Sequence, residues 1–347
     1  MNDLHIRIEG HAGRITLNRP GALNAMNDAM LRAIDASLVA WAGDAAVALV
    51  LVDAAGDRAF CAGGDITEIY AAGRAGDHDK GRDFWRREYR MNLRIAEYPK
   101  PVVTLMQGFT MGGGVGLGCH ASHRVVGNTS RIAMPECGIG LVPDVGGSFL
   151  LANAPGRCGE YLGLTGARMV AGDAIDAGFA DWFVPEDRWP ALIAALCATG
   201  DAQAVEDAAL PTPPHVLCAN APEIEVHFAG DTLGDIWRSL MAARTPFAVD
   251  TRTALARVSP LAASAHVEIL HRLGNNPTLR QALELEFRFV WRAQDQGDFL
   301  EGIRAAVIDK DRKPRWRHAG PEAVPLIDVS RMLMPLGEVK WTGEDTR

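Results

Sequence analysis

Two apolar runs of strand length, Val47-Ala48-Leu49-Val50-Leu51-Val52 and Val102-Val103-Thr104-Leu105-Met106, each lead into a glycine-rich turn and then a helical pattern. That succession limits the fold more than any other feature of the chain. A continuous apolar run of this length reads as a strand covered on both faces, and strands alternating with helices build an α/β core. The first run continues to Ala59-Phe60-Cys61-Ala62-Gly63-Gly64-Asp65, the second through Gln107-Gly108 to Met111-Gly112-Gly113-Gly114-Val115-Gly116-Leu117. Shorter strand patterns follow at Arg124-Val125-Val126 and Arg131-Ile132-Ala133-Met134. Ahead of them, alternation over Leu4–Glu9, a turn at Gly10-His11-Ala12-Gly13 and the segment Arg14-Ile15-Thr16-Leu17-Asn18 predict a hairpin. Met26, Met30, Ile34, Leu38 and Val39 predict a helix within residues 24–40, and residues 83–96 carry another helical pattern. No repeat of fixed period is detectable.

The composition shifts near residue 200. Residues 201–214 are rich in Ala, acidic residues and Pro and read as a connection. Beyond them the patterns are mainly helical, at Pro260–Leu273 and at residues 278–294, where Asn276-Pro277-Thr278 supplies a start signal. Residues 321–347 show little periodicity and are expected to be loosely ordered. The organisation predicted is a core over residues 1–200 and a mainly helical region over 201–347 packing on it, which can count as one continuous domain.

A net charge of −8 argues against a nucleic-acid partner, because such binders carry basic patches. The six cysteines (Cys61, Cys119, Cys137, Cys158, Cys197, Cys218) form no C-x-x-C pair and no zinc-spaced cluster with histidine, so no metal site is readable. They read as buried thiols in a reducing compartment. Neither a signal peptide nor a membrane-spanning stretch is visible, and the expected location is the cytoplasm.

The chemistry concentrates in four short segments. Glycine turns at helix starts expose N–H groups and partial positive charge, and glycine lets a substrate approach them closely. One donor from each turn, aimed at one thioester oxygen, would stabilise an oxyanion or enolate. Two carboxylates follow, Glu136 in Met134-Pro135-Glu136 and, eight residues on, Asp144 in Pro143-Asp144-Val145-Gly146-Gly147. Taken singly, each suits a helix cap or a solvated position; together with the two turns they suit acyl transfer. The spacing Gly112-x-Gly114 with Gly118 also loosely resembles a dinucleotide fingerprint, with its third glycine one place late.

These residues resemble the crotonase superfamily of enoyl-CoA hydratases and isomerases, on Asn18-Arg19-Pro20, Ala22-Leu23-Asn24-Ala25, Cys61 to Asp65, Gly112 to Leu117, and Pro135-Glu136. Within it the chain is similar to hydrolases of 3-hydroxyisobutyryl-CoA. The features carrying this are Gly116 in the second turn, the run Gly138-Ile139-Gly140-Leu141-Val142-Pro143-Asp144, and the C-terminal segments Phe299-Leu300-Glu301-Gly302-Ile303-Arg304-Ala305, Ile308-Asp309-Lys310-Asp311 and Pro314-Arg315-Trp316. The resemblance implies an α/β fold, a crotonase-like spiral of ββα units with a helical C-terminal region. It implies oxyanion donors at the backbone of Gly64 and Gly113, catalytic carboxylates at Glu136 and Asp144, and Glu88 lining the acyl pocket. Ala62, Gly63, Asp65, Gly112 and Gly116 are the accompanying substrate-binding positions. The implied substrate is an acyl-CoA, so that coenzyme A arrives as part of the substrate and no cofactor is needed. Members often trimerise, which implies a possible trimer-based homo-oligomer.

A hydratase uses two glutamates to activate water for addition across C=C, and one of them would fall at Gly116. Glycine cannot hold or give a proton. Glu136 with Asp144 therefore suits attack at the thioester carbon. The resemblance implies the substrate 3-hydroxyisobutyryl-CoA, cleaved to 3-hydroxyisobutyrate and CoA in valine breakdown. The alternative is a hydratase or isomerase acting on another acyl-CoA.

Overall fold

The computed structural model describes residues 3–215, 217–339 and 341–343, without the side chain of Cys218. Its strands are β1 (Leu4–Glu9), β2 (Ala12–Leu17), β3 (Leu49–Ala54), β4 (Ala59–Cys61), β5 (Val102–Met106), β6 (Phe109–Met111), β7 (His123–Val126), β8 (Arg131–Ala133) and β9 (Trp182–Phe183). β1 and β2 form the expected antiparallel hairpin, with Leu4 opposite Leu17. The hairpin leads a six-stranded sheet of order β1-β2-β3-β5-β7-β9, and β4-β6-β8 form a second, three-stranded sheet. From β2 onward every pairing between strands is parallel. Each successive pair, β3–β4, β5–β6 and β7–β8, thus gives one strand to each sheet. This is the spiral of ββα units, repeated in topology without a repeat in sequence.

Contact density divides the chain into two units, the first Met1–Gly64, Arg87–Ala133 and Arg168–Val216, the second Asp65–Arg86, Met134–Ala167 and Leu217–Arg347. Both sheets belong to the first. From Leu49 to Val52 and from Val102 to Met106 the two apolar runs are covered on both faces, with Val50, Leu51, Val103 and Leu105 fully buried. Leu49, Leu51, Val103 and Leu105 pack with Trp189, Leu192 and Leu196 of the helix Trp189–Thr199. Fully burying one such side chain contributes about 1.5–3 kcal/mol. The expectation of a plain connection over residues 201–214 is corrected here. Gln203–Ala208 is a helix, anchored by buried Val205, too short for its periodicity to stand out.

The second unit is helical. Pro260–Leu273 starts where Ser259 Oγ accepts from Ala262 N, and Leu279–Ala293 starts at Thr278 with a capping box to Gln281. Ile224, Phe228, Leu233, Ile236, Leu240, Leu255 and Val267 form an apolar core of this unit. The expectation for residues 321–347 is corrected over Leu326–Leu333, a helix with Val329, Met332 and Leu333 buried, while residues 340 and 344–347 lie outside the described residues. Two turns of amphipathic pattern are shorter than the window in which helical periodicity is read. Among the described residues no helix is long and apolar enough to cross a membrane.

His266 lies fully buried on Pro260–Leu273, and a Cβ at Gly163 would collide with its ring. Burial pushes its imidazole down to about 4, whereas an unfolded histidine titrates near 6.5. A folded-state value below the unfolded one contributes stability above pH 6.5 that is lost as pH falls towards 4. The drop amounts to roughly 3 kcal/mol at most, at about 1.36 kcal/mol per unit. The urea midpoint is expected to fall between pH 6.5 and 4, and the fall to be shallower in His266→Gln; equal slopes would clear His266 of this role.

Candidate active site

The first glycine turn, after β4, is braced by the motif around Asn24. Leu23 and Asn24 both take positive φ, 51° and 55°. Asn24 is 1% exposed; its Nδ2 donates to Ala55 O at 3.0 Å and Ala59 O at 2.9 Å, and its Oδ1 accepts from Arg19 N at 2.8 Å. A short amide side chain makes left-handed backbone tolerable and ties this corner to β4. The corner then holds the turn, with Ala62 N donating to Leu23 O at 3.0 Å and Met26 N to Gly63 O at 2.9 Å. Gly63 sits at φ 115°, which excludes a side chain there.

The second turn follows β6. Gly112, at φ 51°, precedes the helix Gly113–Gly118, whose first N–H groups have no intrahelical acceptor. The two turns adjoin. A Cβ on Gly113 would lie 3.2 Å from Gly64 N and would collide with Glu88 Oε1, and a Cβ on Gly63 would lie 3.8 Å from Gly113 N. Glu88 is 2% exposed, and its charge adds to burial in pushing the Cys61 thiol up to about 12. So the first unit brings the turns of Ala62, Gly63 and Gly64 and of Gly112 and Gly113 together, with Glu88 against Gly113. Gly114 backs on the Cys61 carbonyl, which accounts for it by strand–helix packing and removes the motive for a dinucleotide fingerprint. Gly116 is buried within the same helix. Parallel pairing of β4, β6 and β8, with Cys61 beside Thr110 and Met111 beside Ala133, puts the C-terminal ends of the three strands side by side.

Three residues after β8, Glu136 opens the 3-10 helix Glu136–Ile139; it is 5% exposed, not solvated. The C-terminal run supports this turn within the second unit. A Cβ on Gly302 would collide with Ile139 O, and one on Gly140 would lie 2.6 Å from the Asp298 carbonyl carbon, so both glycines permit close backbone approach. Asp298 accepts from Ser259 Oγ at 2.7 Å and Arg317 N at 3.0 Å. Arg304 gathers Glu301, Asp309 and Asp311 at 2.6–2.9 Å. Asp298 and Gly302 thus back the Glu136 turn, and Arg304 ties the residues that follow.

Asp144 is 4% exposed. The helix that follows, Gly147–Ala152, is capped by Gly146 with no side-chain hydrogen bond, so Asp144 is not its N-cap. Val145 has φ 57°, a conformation that costs a β-branched residue about 1–3 kcal/mol. Glu286, overlooked in the sequence, touches this loop. It is fully buried, its Oε2 accepting from Gly146 N at 2.8 Å and its Oε1 from Ser148 N at 3.0 Å and from Ser148 Oγ. Burial pushes its carboxyl up to about 8; the Asp144 charge adds to the rise while these hydrogen bonds oppose it. One signal was available: Leu283, Glu286, Phe287 and Val290 fall at i, i+3, i+4, i+7, which puts a carboxylate on the apolar stripe.

Asp65 accepts from Thr67 Oγ1 at 2.6 Å at the start of Thr67–Arg74. Three arginines of the helix that carries Glu88 are ties of the fold. Arg86 pairs with Asp83, its guanidinium 5.5 Å from the Phe287 ring centre, and Arg87 and Arg90 pair with Asp28 and Asp35 at 2.8 and 3.3 Å. A long stem with a planar charged head packs on apolar surface and still reaches a carboxylate. Among the described residues no group of three or more His, Cys, Asp or Glu could hold a metal ion.

Fold and turns together define a crotonase-like protein. The enoyl-CoA hydratase/isomerase family profile matches residues 12–333, and the chain belongs to that family. An enoyl-CoA hydratase from Rhodobacter sphaeroides 2.4.1, known by crystal structure, is 60% identical with TM-score 0.93 over 98% of this chain and 100% of its own. A carnitinyl-CoA dehydratase from Mycobacterium thermoresistibile is 39% identical, with TM-score 0.94 over 99% of each chain. The mitochondrial 3-hydroxyisobutyryl-CoA hydrolase of Xenopus laevis is 38% identical over 91% of this chain and 84% of its own.

Proposed function

We propose that this chain hydrolyses a short-chain 3-hydroxyacyl-CoA, with 3-hydroxyisobutyryl-CoA as substrate, releasing CoA and 3-hydroxyisobutyrate as a step of valine breakdown. The observation that carries the reading is the adjoining pair of glycine turns with buried Glu88 against Gly113, on a chain 38% identical to a hydrolase of that name. In this reading the N–H groups of Gly64 and Gly113 receive the charge that develops on the thioester oxygen. Removing one such donor in other enzymes costs about 3–4 kcal/mol. Glu136 either takes a proton from the water that adds to C1 or adds to C1 itself, giving an anhydride that water opens. In both routes the C–S bond breaks, the thiolate leaves with a proton and the acyl group gains a hydroxyl. Hydroxylamine trapping of an acyl-enzyme separates them. Glu88 shapes the acyl pocket, and Asp144 receives the substrate hydroxyl.

A hydratase is the second reading, favoured by the name of the 60%-identical relative. Against it stands Gly116, which offers no carboxylate where a second water-holding glutamate is needed. Incubation with a panel of acyl-CoAs, following thiol release and enoyl absorbance in parallel, decides: thiol release from the 3-hydroxyacyl-CoA supports hydrolysis, and loss of enoyl absorbance alone overturns it. Gly116→Glu is expected to damage hydrolysis, since it forces a charge into the buried helix Gly113–Gly118. Normal hydrolysis by that variant would mean that position 116 does not face the substrate. The location proposed is the cytoplasm, supported by the free thiols of Cys61, Cys119, Cys137, Cys158 and Cys197; the Xenopus relative is named mitochondrial, and fractionation tests the difference.

A further inference from the structure

The loop carrying Asp144 holds two successive left-handed residues, Val145 at φ 57° and Gly146 at φ 79°. Such a conformation persists at valine only where its surroundings over-determine it. One determinant is a side chain 140 residues from Gly146. Glu286 takes the N–H groups of Gly146 and Ser148, one on each oxygen, together with the Ser148 hydroxyl. Between them, Gly147 N donates to Asp144 O at 2.6 Å. The backbone from Asp144 to Ser148 is therefore fixed at three consecutive N–H or C=O groups. A merely space-filling residue at 286 would be apolar, because a carboxylate this deeply buried is costly unless every hydrogen bond is made.

We infer that Glu286 is a positioning residue for hydrolysis: by clamping the backbone of residues 145–148 it sets where the Asp144 carboxylate points. This rests on the role given to Asp144 above. Misplacement of a reacting or orienting group by about 1 Å can cost around a hundredfold in rate.

The test is a double-variant cycle on the full chain with Glu286→Gln, Asp144→Asn and both together. Steady-state kcat and KM for 3-hydroxyisobutyryl-CoA are read beside thermal midpoint and circular dichroism. Glutamine keeps the size but turns one accepting oxygen into an amide that meets a backbone N–H. The expected result is a kcat lower by about 10- to 100-fold with a small change in KM. In the Asp144→Asn background, Glu286→Gln should cost less than about a further twofold, since the two act as a unit. Full additivity, or a normal kcat in folded Glu286→Gln, would overturn the inference. Should that variant fail to fold, Ser148→Ala decides, because it removes one of the three donors and leaves the backbone pair: kcat is expected to fall several-fold, and an unchanged kcat sinks the claim. If Asp144→Asn alone hydrolyses normally, the role of Asp144 itself fails. A loss in Asp144→Asn without one in Glu286→Gln condemns only the clamp.

Discussion

Glu136→Gln is expected to reduce kcat for 3-hydroxyisobutyryl-CoA hydrolysis by a hundredfold or more, with little change in the affinity for free CoA. The side chain is 5% exposed at the first position of a tight 3-10 turn, held from below by close backbone contacts at Gly140 and Gly302. A glutamine there keeps shape and turn but can neither accept a proton nor attack a carbonyl. Positioned acid–base groups contribute roughly 10²–10⁴-fold, and a nucleophile more, so the loss falls on kcat while binding shared by ground and transition states persists. Stopped-flow thiol release and isothermal titration with CoA measure the two quantities. Retention of more than about a tenth of wild-type kcat would remove Glu136 from the chemistry, since it is less than the smallest contribution expected of such a group.

Asp144→Ala is the second large effect, and its signature is selectivity. Hydrolysis of a 3-hydroxyacyl-CoA should fall further than that of the same acyl-CoA without the hydroxyl. A buried carboxylate accepting the substrate O–H contributes about 1.5–3 kcal/mol, or one to two decades of discrimination. Two anchors of the loop backbone, Glu286 and the Gly147–Asp144 main-chain bond, do not use the Asp144 side chain and are kept in the substitution. A change in kcat/KM ratio between the two substrates is therefore attributable to the carboxylate. Equal losses on both substrates would make Asp144 part of the proton inventory of the reaction; no loss on either would leave it without a role in turnover.

Much of this was legible because it is local. A run such as Val102-Val103-Thr104-Leu105-Met106 announces a doubly covered strand, and Ser259-Pro260 and Thr278 with Gln281 announce helix starts, since each signal lies within one turn or one strand of the element it governs. The ion pairs of Arg86, Arg87 and Arg90 were not legible for the opposite reason: a basic helix face looks alike whether its partners are water or Asp83, Asp28 and Asp35. The helices Gln203–Ala208 and Leu326–Leu333 were missed because they are too short to establish a period and depend on what they pack against.

By itself the sequence determined the alternation of strands and helices, the places where only glycine can sit, the family, and which carboxylates are candidates for chemistry. Residue type acts on φ, on capping and on apolar periodicity over a few positions, and those limits travel with the chain wherever it goes. The tertiary structure alone decided that β4, β6 and β8 lie side by side, that Gly64 and Gly113 adjoin with Glu88 against Gly113, and that Glu286 anchors the loop of Asp144. Those are pairings of backbone groups with partners up to 140 residues distant. A backbone N–H is the same donor in every residue but proline, so which acceptor reaches it is settled by packing and by no local pattern.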